Sequence, residues 1–169
     1  TLLEFVRAAP ASSPGAGPRH LAWHPSGDWC VVSNELDNTA ALYSYTADAG
    51  MVLAHSVSLL PEGFTDFSSA ADIQFSADAR FVYASNRGHE SIAIFELDTS
   101  GGGSLKVVGH EPCKGVCPRN FALSPEGDVM VVANQDSHSL EVYSVGQDAG
   151  TLSHRSSREV RSPVWVMFK

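Results

Sequence analysis

Apolar residues in this chain fall into short runs of strand length, four to a unit, and the unit occurs three times. In the first unit the runs cover residues 20–24, 29–35, 40–45 and 51–60, separated by Pro25-Ser26-Gly27, Asp37-Asn38 and Asp48-Ala49-Gly50. The second repeats the layout over 72–75, 81–86, 91–97 and 105–109, and the third over 120–123, 129–134, 140–145 and 151–156. The runs are rich in β-branched and aromatic residues, and the separators are turn formers, so the pattern predicts strands. No long apolar face recurs at helical spacing, so no helix of three turns is expected.

The units also share a frame of sequence. Pro18-Arg19-His20 leads to Ser33-Asn34-Glu35, Ala71-Asp72-Ile73 to Ser85-Asn86-Arg87, and Pro118-Arg119-Asn120 to Ala133-Asn134-Gln135. The shared asparagines stand 52 and then 48 residues apart, a period typical of propeller blades. Four strands per unit predict an all-β β-propeller of four-stranded antiparallel blades. The expected blades are 18–66, 67–115 and 116–161. Residues 1–17 read as the outer strand of a preceding blade with a linker, and 162–169 as the first strand of a following one. Propellers close with about four to eight blades, so three blades and two partial ones are expected to be about half of a longer protein. Unpaired blade faces and strand edges seek partners, which predicts self-association.

Composition narrows the possible partners. The chain has 169 residues, 43% of them hydrophobic and 18% charged, which suffices for an ordinary core. A net charge of −8 argues against nucleic acid as a partner, because sequence-independent binding needs a basic face. No apolar run approaches the ~18 residues of a membrane helix, and residues 1–7 lack the features of a signal peptide. The expectation is a cytoplasmic protein with no membrane partner. Cys30, Cys113 and Cys117 are odd in number, and the last two have three residues between them, so reduced thiols are expected rather than a disulfide or zinc pair. No metal-ligand spacing, phosphate loop, dinucleotide fingerprint or serine-nucleophile elbow occurs, and no cofactor is expected.

In a propeller the first strand of each blade lines the central channel, and the loops at its entry and after the second strand crowd one mouth. The repeat puts Arg19/His20, Ala71/Asp72 and Arg119/Asn120 at the first place and Glu35, Arg87 and Gln135 at the second. These positions differ in charge while their frame stays the same, as in a pocket built from unlike parts. Arg19, Arg87 and Arg119 suit an anionic small molecule, since guanidinium binds carboxylate or phosphate bidentately. Glu35 or His20 can move protons beside a bound ester. Arginine–carboxylate pairs bridging blades would give the same pattern for structural reasons. Asn34, Asn86 and Asn134 read as turn caps. His24 reads as a solvated or turn-capping group, His89, His110 and His138 as surface loop residues, His55 and His154 as outer-strand residues, and Trp23 and Trp29 as core or blade-interface packing.

Residues Gly17-Pro18-Arg19-His20-Leu21-Ala22-Trp23-His24-Pro25, Ser33-Asn34-Glu35-Leu36-Asp37, Ala71-Asp72-Ile73, Ser85-Asn86-Arg87-Gly88-His89 and Pro118-Arg119-Asn120-Phe121 together resemble the seven-bladed lactonase family. That family includes propeller-type 6-phosphogluconolactonases and fungal carboxymuconate cyclases. The likeness runs from about Gly15 to Gly150 and corresponds to the second half of the family's domain. It implies opening of a sugar-acid lactone, with cyclisation of an unsaturated diacid and a non-catalytic interaction platform as the alternatives. By resemblance Glu35, His20 and Arg87 are catalytic, while Arg19, Asp72, Arg119 and Asn120 bind substrate. The family is not known for a required metal. A further histidine motif belongs to the half this chain does not carry, so the chain alone is expected to be inactive.

Overall fold

A computed structural model describes residues 7–169, and it contains three four-stranded antiparallel sheets. The first is a meander of β1 (Pro18–Trp23), β2 (Trp29–Asn34), β3 (Thr39–Thr46) and β4 (Gly50–Ser58). The second runs β5 (Ser69–Phe75), β6 (Phe81–Arg87), β7 (Ser91–Asp98) and β8 (Ser104–Pro112). The third runs β9 (Pro118–Leu123), β10 (Val129–Asn134), β11 (Ser139–Gly146) and β12 (Thr151–Glu159). Among the described residues the single helical element is a 3-10 turn, Ser100–Gly102.

The sheets stack as blades around a common inner edge. β1 packs on β5 and β5 on β9, while at the other margin β4 packs on β8 and β8 on β12. Second and third strands are nearly continuous in apolar residues because both of their faces are covered. Val31, Ala40, Leu42, Leu59, Ile73, Val82 and Phe95 fill the space between the first and second blades. Between the second and third, Tyr83, Ile92, Phe121, Met130, Val132 and Tyr143 do the same. Tyrosine hydroxyls fasten these layers to the backbone, Tyr83 donating to the Gly150 carbonyl at 3.0 Å and Tyr143 to that of Pro112 at 2.8 Å.

The repeated asparagines are structural. Asn34 Nδ2 donates to the Ser12 and Thr39 hydroxyls, Asn86 Nδ2 to the Leu59 carbonyl and Ser91 hydroxyl, and Asn134 Nδ2 to the Cys113 carbonyl. His24 Nδ1 accepts the Ser26 N–H and so caps its turn. All three thiols are free.

Three expectations change. The sequence predicts a strand at 163–168, but this segment forms none, since it has no ladder partner among the described residues. Trp23 is not core: side-chain alternation along β1 puts it on the face of the first blade turned away from the second, where it is 47% exposed, with its ring edge-on to Tyr45. Trp29 does pack on the first interblade core. His110 lies on β8, not in a loop, and its Nε2 meets the Leu59 carbonyl at 3.0 Å. The strand expected in residues 1–7 falls largely on residues 1–6, outside the described residues.

Candidate functional site

Every blade breaks its ladder twice, once between third and fourth strands and once, at the inner edge, between first and second. Pairing between first and second strands slips between Pro18 and His20, between Ala70 and Ile73, and between Pro118 and Asn120. One extra residue is accommodated at each, and such a bulge re-aims the side chains around it. Arg19, Ala71/Asp72 and Arg119/Asn120 stand at these bulges, so side chains at channel-mouth positions turn toward their neighbours in the next blade.

The equivalent residues His20, Asp72 and Asn120 form a chain across all three blades. His20 Nδ1 lies 2.8 Å from Asp72 Oδ1, and Asn120 Nδ2 donates to Asp72 Oδ2 at 2.6 Å. The Asp72 side chain is 6% exposed. Its remaining acceptor capacity is taken by the Ile73 N–H at 2.9 Å, Gln74 Nε2 at 3.1 Å and the Phe121 N–H at 3.3 Å. Asn120 is spent at both ends, since its Oδ1 accepts the Val166 N–H at 2.7 Å. Trp165, exposed, lies edge-on to His20 with ring centres 6.5 Å apart.

A second set of equivalent positions follows the repeated asparagines. Arg87 Nη2 donates to Glu35 Oε1 at 2.6 Å and to the Ala70 carbonyl at 2.7 Å. Arg19 Nε approaches the other carboxylate oxygen of Glu35 at 3.8 Å, and Arg19 Nη1 lies 3.2 Å from His20 Nε2. Glu35 is thus held between two guanidinium groups, and the hydrogen bond from Arg87 keeps its pKa below the ordinary carboxylate value. Burial, followed by the positive charge of Arg87, lowers the pKa of Arg19. Arg119, half-buried, makes no hydrogen bond or ion pair among the described residues, yet its charge acts on both Arg19 and Glu35. Arg87 Nε and Gln135 Oε1 are likewise buried without a partner among the described residues. An unsatisfied buried polar atom costs about 1–3 kcal/mol, a cost that a bound polar ligand would remove.

The structure therefore brings Arg19, His20, Glu35, Asp72, Arg87 and Asn120 into one connected network, with Arg119 beside it. It separates them by availability. Glu35, His20 and the arginines keep exposed or unpaired atoms, whereas Asp72 and Asn120 have theirs engaged by the protein. Sequence reasoning did not find Gln74, which joins Asp72 to the Phe121 carbonyl at 2.6 Å. It also missed Ser33 and Ser85: Ser33 Oγ donates to the Ala71 carbonyl and Ser85 Oγ accepts the Asp72 N–H. The two serines share the residue position just before the repeated asparagine, and that was the available signal.

Stacked four-stranded antiparallel blades, with arginines, a carboxylate and a histidine gathered at their inner edge, define part of a β-propeller. The sequence matches the family model "Lactonase, 7-bladed beta-propeller" over residues 2–168, and the chain belongs to that family. It is 38% identical over 155 residues to a 6-phosphogluconolactonase of Erwinia tasmaniensis, covering 91% of this chain and 46% of that protein. It is 37% identical over 158 residues to a 6-phosphogluconolactonase of Bacillus subtilis, covering 92% and 45%. Among solved structures, the periplasmic gluconolactonase of Pseudomonas aeruginosa superposes with a TM-score of 0.84 at 32% identity, over 89% of this chain and 42% of that one. The chain spans a little under half the length of the relatives it matches.

Proposed function

We propose that this chain supplies the anion-binding and water-activating side of a lactone-opening site, with a phosphorylated or carboxylated sugar-acid lactone as substrate. The observation that carries the reading is Glu35 held between Arg19 and Arg87 beside a histidine, with Arg119 near enough for its charge to act on Glu35 and Arg19. Three guanidinium groups against two carboxylates, Glu35 and Asp72, still leave uncompensated positive charge, and Arg119 has no protein partner among the described residues to absorb it. A phosphate or carboxylate fills that deficit with charge-assisted, bidentate hydrogen bonds. Sugar-acid chemistry in the named relatives agrees with this choice.

Glu35 then orients rather than reacts: it stays ionised and holds Arg19 and Arg87 in place. His20 is the base. A substrate anion draws Arg19 from His20 Nε2, and water takes its place between that nitrogen and the lactone carbonyl. The free guanidinium atoms stabilise the oxyanion formed on attack. The site is completed by the rest of the propeller, so the chain alone is expected to show no turnover.

The test is hydrolysis of 6-phosphogluconolactone by this chain alone and by a protein in which it is completed to seven blades, with Arg119→Ala in the latter. Hydrogen bonds to charged groups contribute about 1.5–3 kcal/mol, so the substitution is expected to raise KM ~10- to 100-fold. Unchanged KM removes Arg119 from the site. Failure of the completed protein to open any anionic sugar lactone overturns the functional reading.

A further inference from the structure

We infer that Asp72 is a positioning residue for this reaction, acting through His20: it fixes the imidazole as the Nδ1–H tautomer and so leaves Nε2 as the proton acceptor. The inference rests on the reading of His20 as the base, and its structural half can be tested without any substrate.

Two contacts determine the tautomer. Guanidinium carries only donors, so Arg19 Nη1 at 3.2 Å from Nε2 requires a lone pair on that nitrogen. The imidazole proton is then on Nδ1, where it donates to Asp72 Oδ1 at 2.8 Å. Both contacts fit a neutral ring with one orientation and one tautomer, the state a general base needs.

Asp72 is built to hold that state. It accepts from Ile73, Gln74, Asn120 and Phe121 as well as from His20, and is nearly excluded from solvent. A carboxylate with its acceptor positions filled by protein donors has none left for a substrate hydroxyl, so its expected substrate-binding role gives way to an orienting one. Its supports come from the second and third blades while His20 comes from the first, so interblade packing sets the direction of Nε2. Fixing the base in this way removes a cost at the moment of reaction.

In the step itself, Nε2 takes a proton from water as the water oxygen bonds to the lactone carbonyl carbon. The ring C–O bond then breaks, and the departing ring oxygen takes the proton from Nε2–H. One water is consumed and His20 returns to its starting tautomer. In between, the imidazolium is stabilised by Asp72 and disfavoured by Arg19.

The experiment has two readouts. Long-range nitrogen-15 correlation spectra of His20 in the unsubstituted chain are expected to show Nδ1 protonated and Nε2 bare. Asp72→Asn is expected to mix the tautomers. In the seven-bladed protein the same substitution should lower kcat ~100-fold with KM changed less than ~3-fold, a split that loss of substrate binding would not produce. A predominant Nε2–H tautomer in the unsubstituted chain overturns the inference even if Asp72→Asn fails to fold. Full kcat in a folded Asp72→Asn protein also overturns it. If the unsubstituted seven-bladed protein opens no lactone while the Nδ1–H tautomer is present, the functional reading fails and the positioning role in that reaction goes with it, leaving only the tautomer assignment.

Discussion

Glu35 shows how one residue can matter to both the site and the fold. Its pKa is lowered by the Arg87 hydrogen bond and by nearby positive charge, so the folded carboxylate releases its proton more readily than the unfolded one. A group of this sign contributes stability that is fully present above the unfolded value, about pH 4.3, and is lost as pH falls through the lower folded value. In urea titrations the stability gap between the unsubstituted chain and Glu35→Gln is therefore expected to be open at pH 7 and to close under acid, below about pH 4. Because the side chain is about a third exposed, solvent screening keeps the gap small. A gap that widens under acid would show that Glu35 is not ionised in the folded state. The residues that the structure joins into one polar network were largely legible in sequence, since unlike charges at equivalent repeat positions single them out. Their division of labour was not: whether a carboxylate is left free or spent depends on donors such as Gln74, two residues along the same strand, and the Phe121 N–H, which the next blade brings in.

Strands in this chain place functional groups where their ladders fail. The bulges of β1, β5 and β9 aim the first-strand residues, and the ends of β2, β6 and β10 present the second set. Gly88 follows β6 directly after Arg87, at a φ of +113°, and a Cβ there would collide with the Phe67 carbonyl oxygen. Backbone cannot swing aside as a flexible side chain does. Gly88→Ala is expected to lower stability by about 1–3 kcal/mol and, by moving Arg87, to weaken its contact with Glu35. Thermal unfolding and the KM of the completed protein check the two effects; a Tm within error of the parent would refute the clash. The repeated runs announced the strands, and second strands such as 129–134 match their expected limits. The strand at 163–168 did not form because a strand needs a ladder partner, which its own residues cannot supply.

At the scale of the whole molecule, two interblade layers are closed and an outer face is open. Leu21, Trp23 and Tyr45 on the first blade are 56%, 47% and 39% exposed. Contiguous apolar exposure of this kind marks an interaction surface, and the meander leaves strand edges at its margins. Concentration-dependent association of the chain is expected in sedimentation velocity, weakened by Trp23→Lys. A monomer that stays monodisperse to high concentration would count against it. When the chain is completed to seven blades, association should disappear because a further blade covers the same face.

By itself the sequence determined the blade architecture, the period and the chemical identity of the mouth, because all three are written in local patterns: strand-length apolar runs, turn residues, and unlike charges at equivalent positions. Tertiary structure alone decided which polar atoms remain available. His20, Asp72 and Asn120 lie 52 and 48 residues apart, and only the stacking of three blades turns them into one hydrogen-bonded chain that spends Asp72 and Asn120 on the protein itself while leaving Arg119 and part of Glu35 unspent.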